Sequence, residues 1–240
     1  MPGEPDPSRF SVHNTRIERV VRDGRRMVEK TIRPNDWLSR SLEEIVEEIE
    51  EYRRQLQEAG VRMPAVFGCR VEDECAVYLC EDGGDNLVER YETPEALVRD
   101  HAVEVAAAVA MLRRAADAGV SIDPHVKNFV GEDGDLLYVD FSPPLIGSYV
   151  EARCAAAATA EEERILRENF LYFTPEFLPY HFAGDLLNVR RSAEGLFPEL
   201  HAMLTEEGML SGVSLEAFIE RARSIRALED LRLKERIYMF

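Results

Sequence analysis

Residues 121–142 read SIDPHVKNFVGEDGDLLYVDFS, and this stretch decides how the rest of the sequence is interpreted. The segment FVGEDGDLLYVDF favours two short strands that turn back at residues 132–134, because Asp-Gly between apolar runs is a strong hairpin signal. Two strands that run out and back return to the same end of the hairpin. The pattern therefore predicts that Asn128, before the first strand, and Asp140, after the second, lie close together.

Polar and charged side chains are concentrated around this hairpin: Asp123, His125, Lys127, Asn128 and Asp140. A single Asp or Asn at such a place is usually a turn or cap residue. Their joint spacing favours a functional site, in which Asn128 and Asp140 supply the hard oxygen ligands that Mg²⁺ prefers. Asp123 supplies a carboxylate, and His125 has two open roles, in catalysis or in holding the loop by hydrogen bonds.

The composition favours a soluble globular protein, with 45% hydrophobic and 31% charged residues. Its 240 residues suffice for one large domain or for two lobes around a cleft. No apolar run approaches the ~18 residues of a membrane-spanning helix, and the acidic, proline-rich start MPGEPDPSRF is not a signal peptide. The net charge of −17 argues against binding to nucleic acid or to anionic membranes.

The four cysteines, at positions 69, 75, 80 and 154, contain no C-x-x-C pair. Because the sequence has no export signal, we expect reduced thiols and a cytoplasmic location. The five histidines are scattered along the chain, so their spacing does not support a zinc site.

The first third of the chain is predicted to be rich in β-strands and the remainder helical. Strands are expected in residues 10–21, 25–32, 64–71 and 75–80, with a hairpin turn at Arg22–Gly24 between the first two. A long amphipathic helix is expected over residues 35–60, capped by Asn35 or Asp36, with an apolar stripe formed by Leu42, Ile45, Val46, Ile49, Tyr52 and Leu56. Further helices are expected over residues 94–119 and near 147–171, 175–189, 193–207 and 214–235.

Lysine is rare in this sequence, with three lysines against 26 arginines. Phosphoryl transfer from ATP needs a cation on the phosphates, oxygen ligands for Mg²⁺ and a carboxylate aimed at the attacking hydroxyl. Lys30, on the second predicted strand, can supply the cation as a point charge on a flexible stem. Together with the residues around the hairpin, it completes the set that this chemistry requires.

The order of these residues resembles the protein-kinase-like superfamily, and the aminoglycoside and choline phosphotransferase branch is closest in pattern. That branch typically reads H-G-D-x-H-x-x-N, followed by a strand that ends in I-D-F. The segments IDPHVKN and YVDF place Asp123, His125, Asn128 and Asp140 at the corresponding positions, and MVEK places Lys30 at the third-strand lysine. The resemblance follows the order of most of the chain.

The resemblance implies an α+β fold with two lobes: a small antiparallel-sheet lobe over residues 10–82 and a mainly helical lobe over residues 83–240, after a flexible start at residues 1–9. It implies ATP and Mg²⁺ as cofactors. Lys30 is then expected to contact the α- and β-phosphates, and Asp123 to accept or orient the proton of the acceptor hydroxyl.

A glutamate of the first long helix is expected to pair with Lys30. Glu48 is the first choice, because at 100° per residue it lies on the flank of the apolar stripe. Glu44 and Glu47 are the alternatives.

The segment VYLCEDGGDNL resembles the hinge that holds adenine through backbone groups. Leu79, Cys80 and Glu81 are then expected to contact the base, Asp85 the ribose and Lys127 the γ-phosphate.

The sequence departs from the family pattern at three places. Ser121 and Ile122 replace the usual histidine or arginine before the catalytic aspartate, no glycine-rich loop covers the phosphates, and DFS replaces D-F-G. The leading hypothesis is transfer of the γ-phosphate to a hydroxyl of a small, preferably cationic molecule. A peptide or protein kinase of a natural-product pathway, and a nucleotide-binding pseudokinase that binds a partner protein, remain open as alternatives, as does the oligomeric state.

Overall fold

A computed structural model of the chain describes residues 15–33, 40–91, 93, 96–100, 102–188 and 193–234. The described part is an α+β structure with a four-stranded antiparallel sheet, a separate two-stranded hairpin and a mostly helical remainder. The strands are β1 (Thr15–Arg22), β2 (Arg25–Ile32), β3 (Val66–Glu72), β4 (Cys75–Glu81), β5 (Phe129–Glu132) and β6 (Asp135–Tyr138). The helices are α1 (Leu42–Glu58), α2 (Leu87–Arg90), α3 (Ala102–Asp117), α4 (Gly147–Ala155), α5 (Ala160–Leu171), α6 (Leu178–Asn188), α7 (Phe197–Glu206) and α8 (Leu215–Lys234). Within the described ranges, no helix combines the length and the apolar character needed to cross a membrane.

The sheet has the strand order β1-β2-β4-β3, and every pair of neighbours is antiparallel. The turn between β1 and β2 is formed by Asp23 and Gly24, both at positive φ, as the Asp-Gly signal predicts. Lys30 lies on the interior strand β2, where it pairs with Ile17 on one side and Tyr78 on the other. The position of Lys30 is therefore set by backbone pairing on both sides.

Helix α1 buries the apolar stripe that its period predicts, with Ile45, Ile49, Tyr52 and Leu56 inside the core. Its N-cap is Ser41, whose hydroxyl accepts from the Glu44 backbone N–H while the Glu44 carboxylate accepts from the Ser41 backbone N–H. Such a reciprocal pair satisfies two N–H groups that lack partners within the helix. The predicted caps, Asn35 and Asp36, lie outside the described residues.

Two of the predicted helices differ in detail from the structure. A π-helical turn over Ala96–Asp100 precedes α3. The helix predicted over residues 147–171 is split between α4 and α5, because the Thr159 hydroxyl accepts from the Glu162 backbone N–H and starts a new helix there. The capping signal thus prevails over the high helix propensity of the surrounding alanines.

The hairpin β5–β6 lies between the sheet and the helices, and two other segments contact its backbone. The Tyr138 N–H donates to the carbonyl of Arg62, which belongs to the connection between α1 and β3. The Gly131 N–H donates to the carbonyl of Asp85, which follows β4. One continuous apolar core extends from the sheet through this hairpin to α8. The ends of the hairpin are therefore held by contacts with both the sheet side and the helical side.

Helices α6 and α8 approach closely at Gly184, where a Cβ atom would lie 2.9 Å from the backbone oxygen of Ala222. We predict that Gly184→Ala destabilises the protein by about 1–3 kcal/mol, because the added methyl group forces the two backbones apart. The exposed Gly147 at the start of α4 has open space around it. Gly147→Ala should be neutral or stabilising by up to about 1 kcal/mol. Urea denaturation of both variants checks this, and equal stabilities would contradict it.

Candidate functional site

A cavity of about 520 Å³ lies between the sheet and the hairpin. Apolar side chains of both parts line it: Ile17 and Val28 from the sheet, and Val130 and Val139 from the hairpin and its continuation. Its polar lining includes Lys30. An apolar cleft with a few polar groups at fixed positions is the usual form of a small-molecule site.

The Lys30 ammonium and the Asp140 carboxylate form an ion pair at 2.9 Å, joining the sheet to the end of the hairpin across 110 positions of sequence. The Lys30 side chain is 6% exposed and that of Asp140 is 20% exposed. Phe141 lies next to the pair, with its ring centroid 4.4 Å from Lys30 Nζ. Because the ammonium is nearly buried, its charge needs this carboxylate.

Asn128 connects the ion pair to the loop that carries Asp123. Its amide nitrogen donates to the Asp123 carbonyl at 3.4 Å and lies 3.5 Å from Asp140 Oδ2. This arrangement leaves the amide oxygen of Asn128, a hard donor, for a cation. The structure thus brings together Lys30, Asp123, Asn128 and Asp140. The hairpin argument predicted only the meeting of Asn128 and Asp140.

Two buried tyrosines hold the backbone of this loop. The Tyr138 hydroxyl accepts from the Asp123 backbone N–H at 3.1 Å, and the Tyr52 hydroxyl donates to the Ser121 carbonyl at 2.9 Å. Burial raises the pKa of Tyr138 and of Tyr52 well above the ordinary value, so both remain neutral phenols. Sequence reasoning assigned Tyr52 to the apolar stripe of α1, and its hydroxyl adds a second role.

Beneath Asp123 lies a buried cluster of histidines and carboxylates. His125 Nδ1 contacts Asp123 Oδ1, and His125 Nε2 lies 3.2 Å from Glu229 Oε1. His181 Nε2 lies 2.9 Å from the same oxygen of Glu229. Asp185 Oδ1 lies 3.8 Å from His125 Nε2. His125 therefore has a structural contact on each ring nitrogen.

The charged groups of this cluster change one another's pKa values. Burial alone would raise the pKa of Asp123, but the charge and hydrogen bond of His125 hold it well below its usual range. Burial lowers the pKa of His125, yet the carboxylates of Asp123 and Asp185 together raise it well above its usual value. Asp123 is consequently a carboxylate at neutral pH.

The predicted ion pair between Lys30 and Glu48 is not formed. Glu48 instead pairs with Arg40 at 2.8 Å and accepts from the Ser148 hydroxyl at 2.7 Å. The flank position of Glu48 follows from the helical period, but that period does not determine which neighbouring segment faces it. Arg40, just before α1, forms the ion pair with Glu48, and Lys30 forms its ion pair with Asp140.

The two alternatives to Glu48 do not pair with Lys30 either. Glu44 belongs to the capping box of α1, where its carboxylate accepts from a backbone N–H. Glu47 is exposed on the outer face of the helix.

The segment predicted to contact the base lies at the cavity, but its lining residues begin one position later than predicted. Cys80 and Glu81 line the cavity, as do the next three residues, whereas Leu79 is not among the lining residues. The Asp85 carboxylate, predicted to meet a ribose, accepts from Arg19 at 2.7 Å. Burial raises the pKa of the Cys80 thiol to about 11, so Cys80 contributes a neutral surface.

Two further cations line the cavity besides Lys30. Lys127 is exposed and, in the described part of the chain, has no carboxylate within ion-pair distance. Arg19, on the outer strand β1, also lines the cavity and pairs with Asp85. Sequence reasoning missed Arg19, although its position two residues after the cavity-lining Ile17 places both on one face of β1.

Sequence reasoning also missed Glu229 and left Asp185 without a role. Asp185 Oδ2 accepts from the Val126 backbone N–H at 2.7 Å. Asp185 follows His181 by one helical turn, which is a detectable signal. Glu229 lies in α8 among many other charged residues, so no sequence pattern distinguishes it.

No protein-family model matches the chain, and no curated protein matches it significantly.

Lys30 is more deeply buried than Asp140, so removing the charge of one or of the other should affect folding stability unequally. Asp140→Ala leaves the nearly buried Lys30 ammonium unpaired and should cost about 3 kcal/mol or more of folding stability. Lys30→Met leaves the more exposed Asp140 carboxylate and should cost less. Urea denaturation of the two variants and of the double variant measures both effects and their coupling. A larger loss for Lys30→Met would contradict this account.

Proposed function

We propose that the protein is an ATP-dependent phosphotransferase with a two-lobed, kinase-like arrangement, which transfers the γ-phosphate to a hydroxyl group of a small molecule. The observation that carries this proposal is the ion pair at 2.9 Å between Lys30, which lines the cavity, and Asp140, together with the contact between Asp140 and Asn128. These residues come from a strand, a hairpin end and a loop. Their meeting supplies a phosphate-binding cation and oxygen ligands for a metal within one small volume.

The donor set fits Mg²⁺. Asp140 offers a carboxylate and Asn128 an amide oxygen, and Mg²⁺ prefers hard oxygen ligands. These two residues would hold the ion, while bound ATP with Mg²⁺ supplies the transferable phosphoryl group and the neutralisation of its charge. Lys30 would hold phosphate oxygens from the opposite side.

The cavity suits a nucleotide in size and in polarity. Its volume of about 520 Å³ lies within the usual range for small-molecule sites. Val28 of the sheet and Val139 beyond the hairpin supply apolar walls suited to a planar base. Lys127 adds a positive charge at the lining that would attract the phosphates, whereas the charge of Arg19 is paired with Asp82 and Asp85. The lining also holds three acidic residues, Glu81, Asp82 and Glu89, so Mg²⁺ would have to accompany the nucleotide. Arg19 on β1 offers a substitute for the glycine-rich loop that the sequence lacks.

Asp123 is suited to orient the acceptor hydroxyl. Its backbone N–H is fixed by Tyr138 and its carboxylate by His125, so the group is held in one place. A carboxylate in this position accepts a hydrogen bond from the hydroxyl and directs its oxygen toward the phosphate. The net charge of −17 favours a cationic acceptor such as an amino sugar or an amino alcohol.

The proposal predicts that Asp123→Asn lowers phosphoryl transfer by about 10²–10⁴-fold, because the amide cannot accept the hydroxyl proton. Binding of MgATP should change little, since Asp123 does not hold the nucleotide. Asp73→Asn, in the exposed turn between β3 and β4, serves as the matched control and should retain full activity. Transfer is measured with radiolabelled ATP on amino sugars, amino alcohols and Ser/Thr peptides, and binding by calorimetry.

Two results would contradict this assignment. The first is wild-type transfer by Asp123→Asn. The second is MgATP binding without transfer to any of the acceptors, which would favour the pseudokinase alternative. Transfer to peptides alone would move the acceptor class to peptides and leave the catalytic assignment in place.

A further inference from the structure

The cluster beneath Asp123 brings three metal-binding side chains together from separate parts of the chain. His125 lies in the loop before the 3₁₀ turn Val126–Asn128, His181 lies on α6 and Glu229 on α8. One ligand atom of each residue lies within 4.8 Å of the other two. The His181 side chain is fully buried and that of Glu229 is 3% exposed. A group of this kind in the core needs all its charges and lone pairs satisfied.

The Nε2 atoms of His125 and His181 both face one oxygen, Glu229 Oε1, because each Nδ1 atom has its own hydrogen-bond partner. The Nδ1 atom of His181 lies 3.0 Å from the Tyr172 carbonyl, which can only accept, so Nδ1 carries a proton. The Nδ1 atom of His125 faces the Asp123 carboxylate and carries a proton for the same reason. In the neutral form of each ring, Nε2 is then a lone pair. Both lone pairs point at Glu229 Oε1, which is itself an acceptor.

No protonation state of the two histidines and Glu229 gives every one of these contacts a favourable partner. If both rings were protonated, two imidazolium cations would lie buried with their centroids 4.9 Å apart, and like charges at this distance repel. If one ring were protonated, the Nε2 lone pair of the other would face the carboxylate oxygen. A protonated Glu229 could donate to only one ring, and Arg226, which donates to Glu229 Oε2 at 3.2 Å, favours the ionised form.

We propose that His125, His181 and Glu229 bind a first-row divalent cation, best represented by Zn²⁺. Asp185 Oδ1, now 3.8 Å from His125 Nε2, would move closer to become a fourth ligand. Two imidazole nitrogens and carboxylate oxygens form a ligand set that suits zinc. Bonds of about 2.0–2.1 Å in a tetrahedron separate neighbouring ligand atoms by roughly 3.3 Å. The observed separations of 3.2 and 2.9 Å from Glu229 Oε1 to the two Nε2 atoms are close to this value.

The surroundings of the cluster agree with a bound cation. His181 and Asp185 are four residues apart on α6, so they share one face of that helix. The Nδ1–H groups of both histidines donate to oxygen acceptors, Tyr172 O and the Asp123 carboxylate, as metal-bound histidines usually do. The carboxylates of Asp123, Asp185 and Glu229 outnumber the nearby Arg226, which also pairs with Asp230. A dication brings the cluster nearer to neutrality.

Such an ion would have a structural role. It would tie α6 and α8 to the loop that presents Asp123, through His125. His181 and Glu229 are buried and His125 is partly buried, so most of the site is closed to solvent. It is also separate from Asn128 and Asp140, the proposed oxygen ligands of Mg²⁺, and it does not depend on the phosphotransferase proposal.

The test is the zinc content of the full-length protein, purified after saturation with ZnCl₂ and removal of weakly bound metal. We expect about one zinc per chain in the wild type. Glu229→Gln and His181→Ala should lose it. His201→Ala, which removes a histidine of α7 bonded to the Val213 carbonyl, should keep it, and so should Asp140→Asn. A strong chelator should lower the melting temperature of the wild type but not that of Glu229→Gln.

A folded wild-type protein that retains no zinc overturns the proposal, and this result does not depend on whether any variant folds. Equal zinc content in His181→Ala and His201→Ala also overturns it, as does loss of the zinc in an Asp140→Asn protein that is folded by circular dichroism, which would place the ion at Asp140. If the cluster variants do not fold, Co²⁺ is added to the Asp140→Asn protein instead. Intense visible bands of four-coordinate Co²⁺ support the site, and their absence counts against it.

Discussion

The ion pair between Lys30 and Asp140 is the interaction on which the arrangement of the cavity depends. It joins the interior strand of the sheet to the end of the β5–β6 hairpin, two elements that are otherwise distant in sequence. A nearly buried ammonium is costly without a partner, so the sheet and the hairpin must keep this separation in the folded state. The apolar walls of the cavity, which come from the same two elements, are positioned by the same constraint.

A second layer of buried polar contacts supports the loop between the ion pair and the helices. Tyr52 and Tyr138 fix its backbone, and His125 fixes the Asp123 carboxylate from below. Buried polar networks of this kind hold a unique arrangement only when every member is satisfied. In the histidine and carboxylate cluster, hydrogen bonds alone leave a lone pair facing a carboxylate oxygen, and the proposed cation would satisfy it.

The elements that the sequence predicted correctly are those with strong local signals. The Asp-Gly turn of the first hairpin, the apolar stripe of α1 and the β5–β6 hairpin each depend on residues close together in the chain. The errors concern choices among distant partners. Glu48 has the flank position that its helical period predicts, but Arg40 and Ser148 occupy it. Leu79 was expected at the site, but the cavity lining begins at Cys80. The reason is the same, since the boundary of the cavity depends on how the hairpin packs.

By itself, the sequence determined that Asn128 and Asp140 would meet, because a two-stranded hairpin returns to its starting point whatever surrounds it. It also determined which strand would carry Lys30. Only the tertiary structure decided that Lys30 would pair with Asp140, and that His125, His181 and Glu229 would converge. Those contacts join residues 48 to 110 positions apart through the packing of α6 and α8 and of the sheet against the hairpin, and no local pattern in the chain encodes such distances.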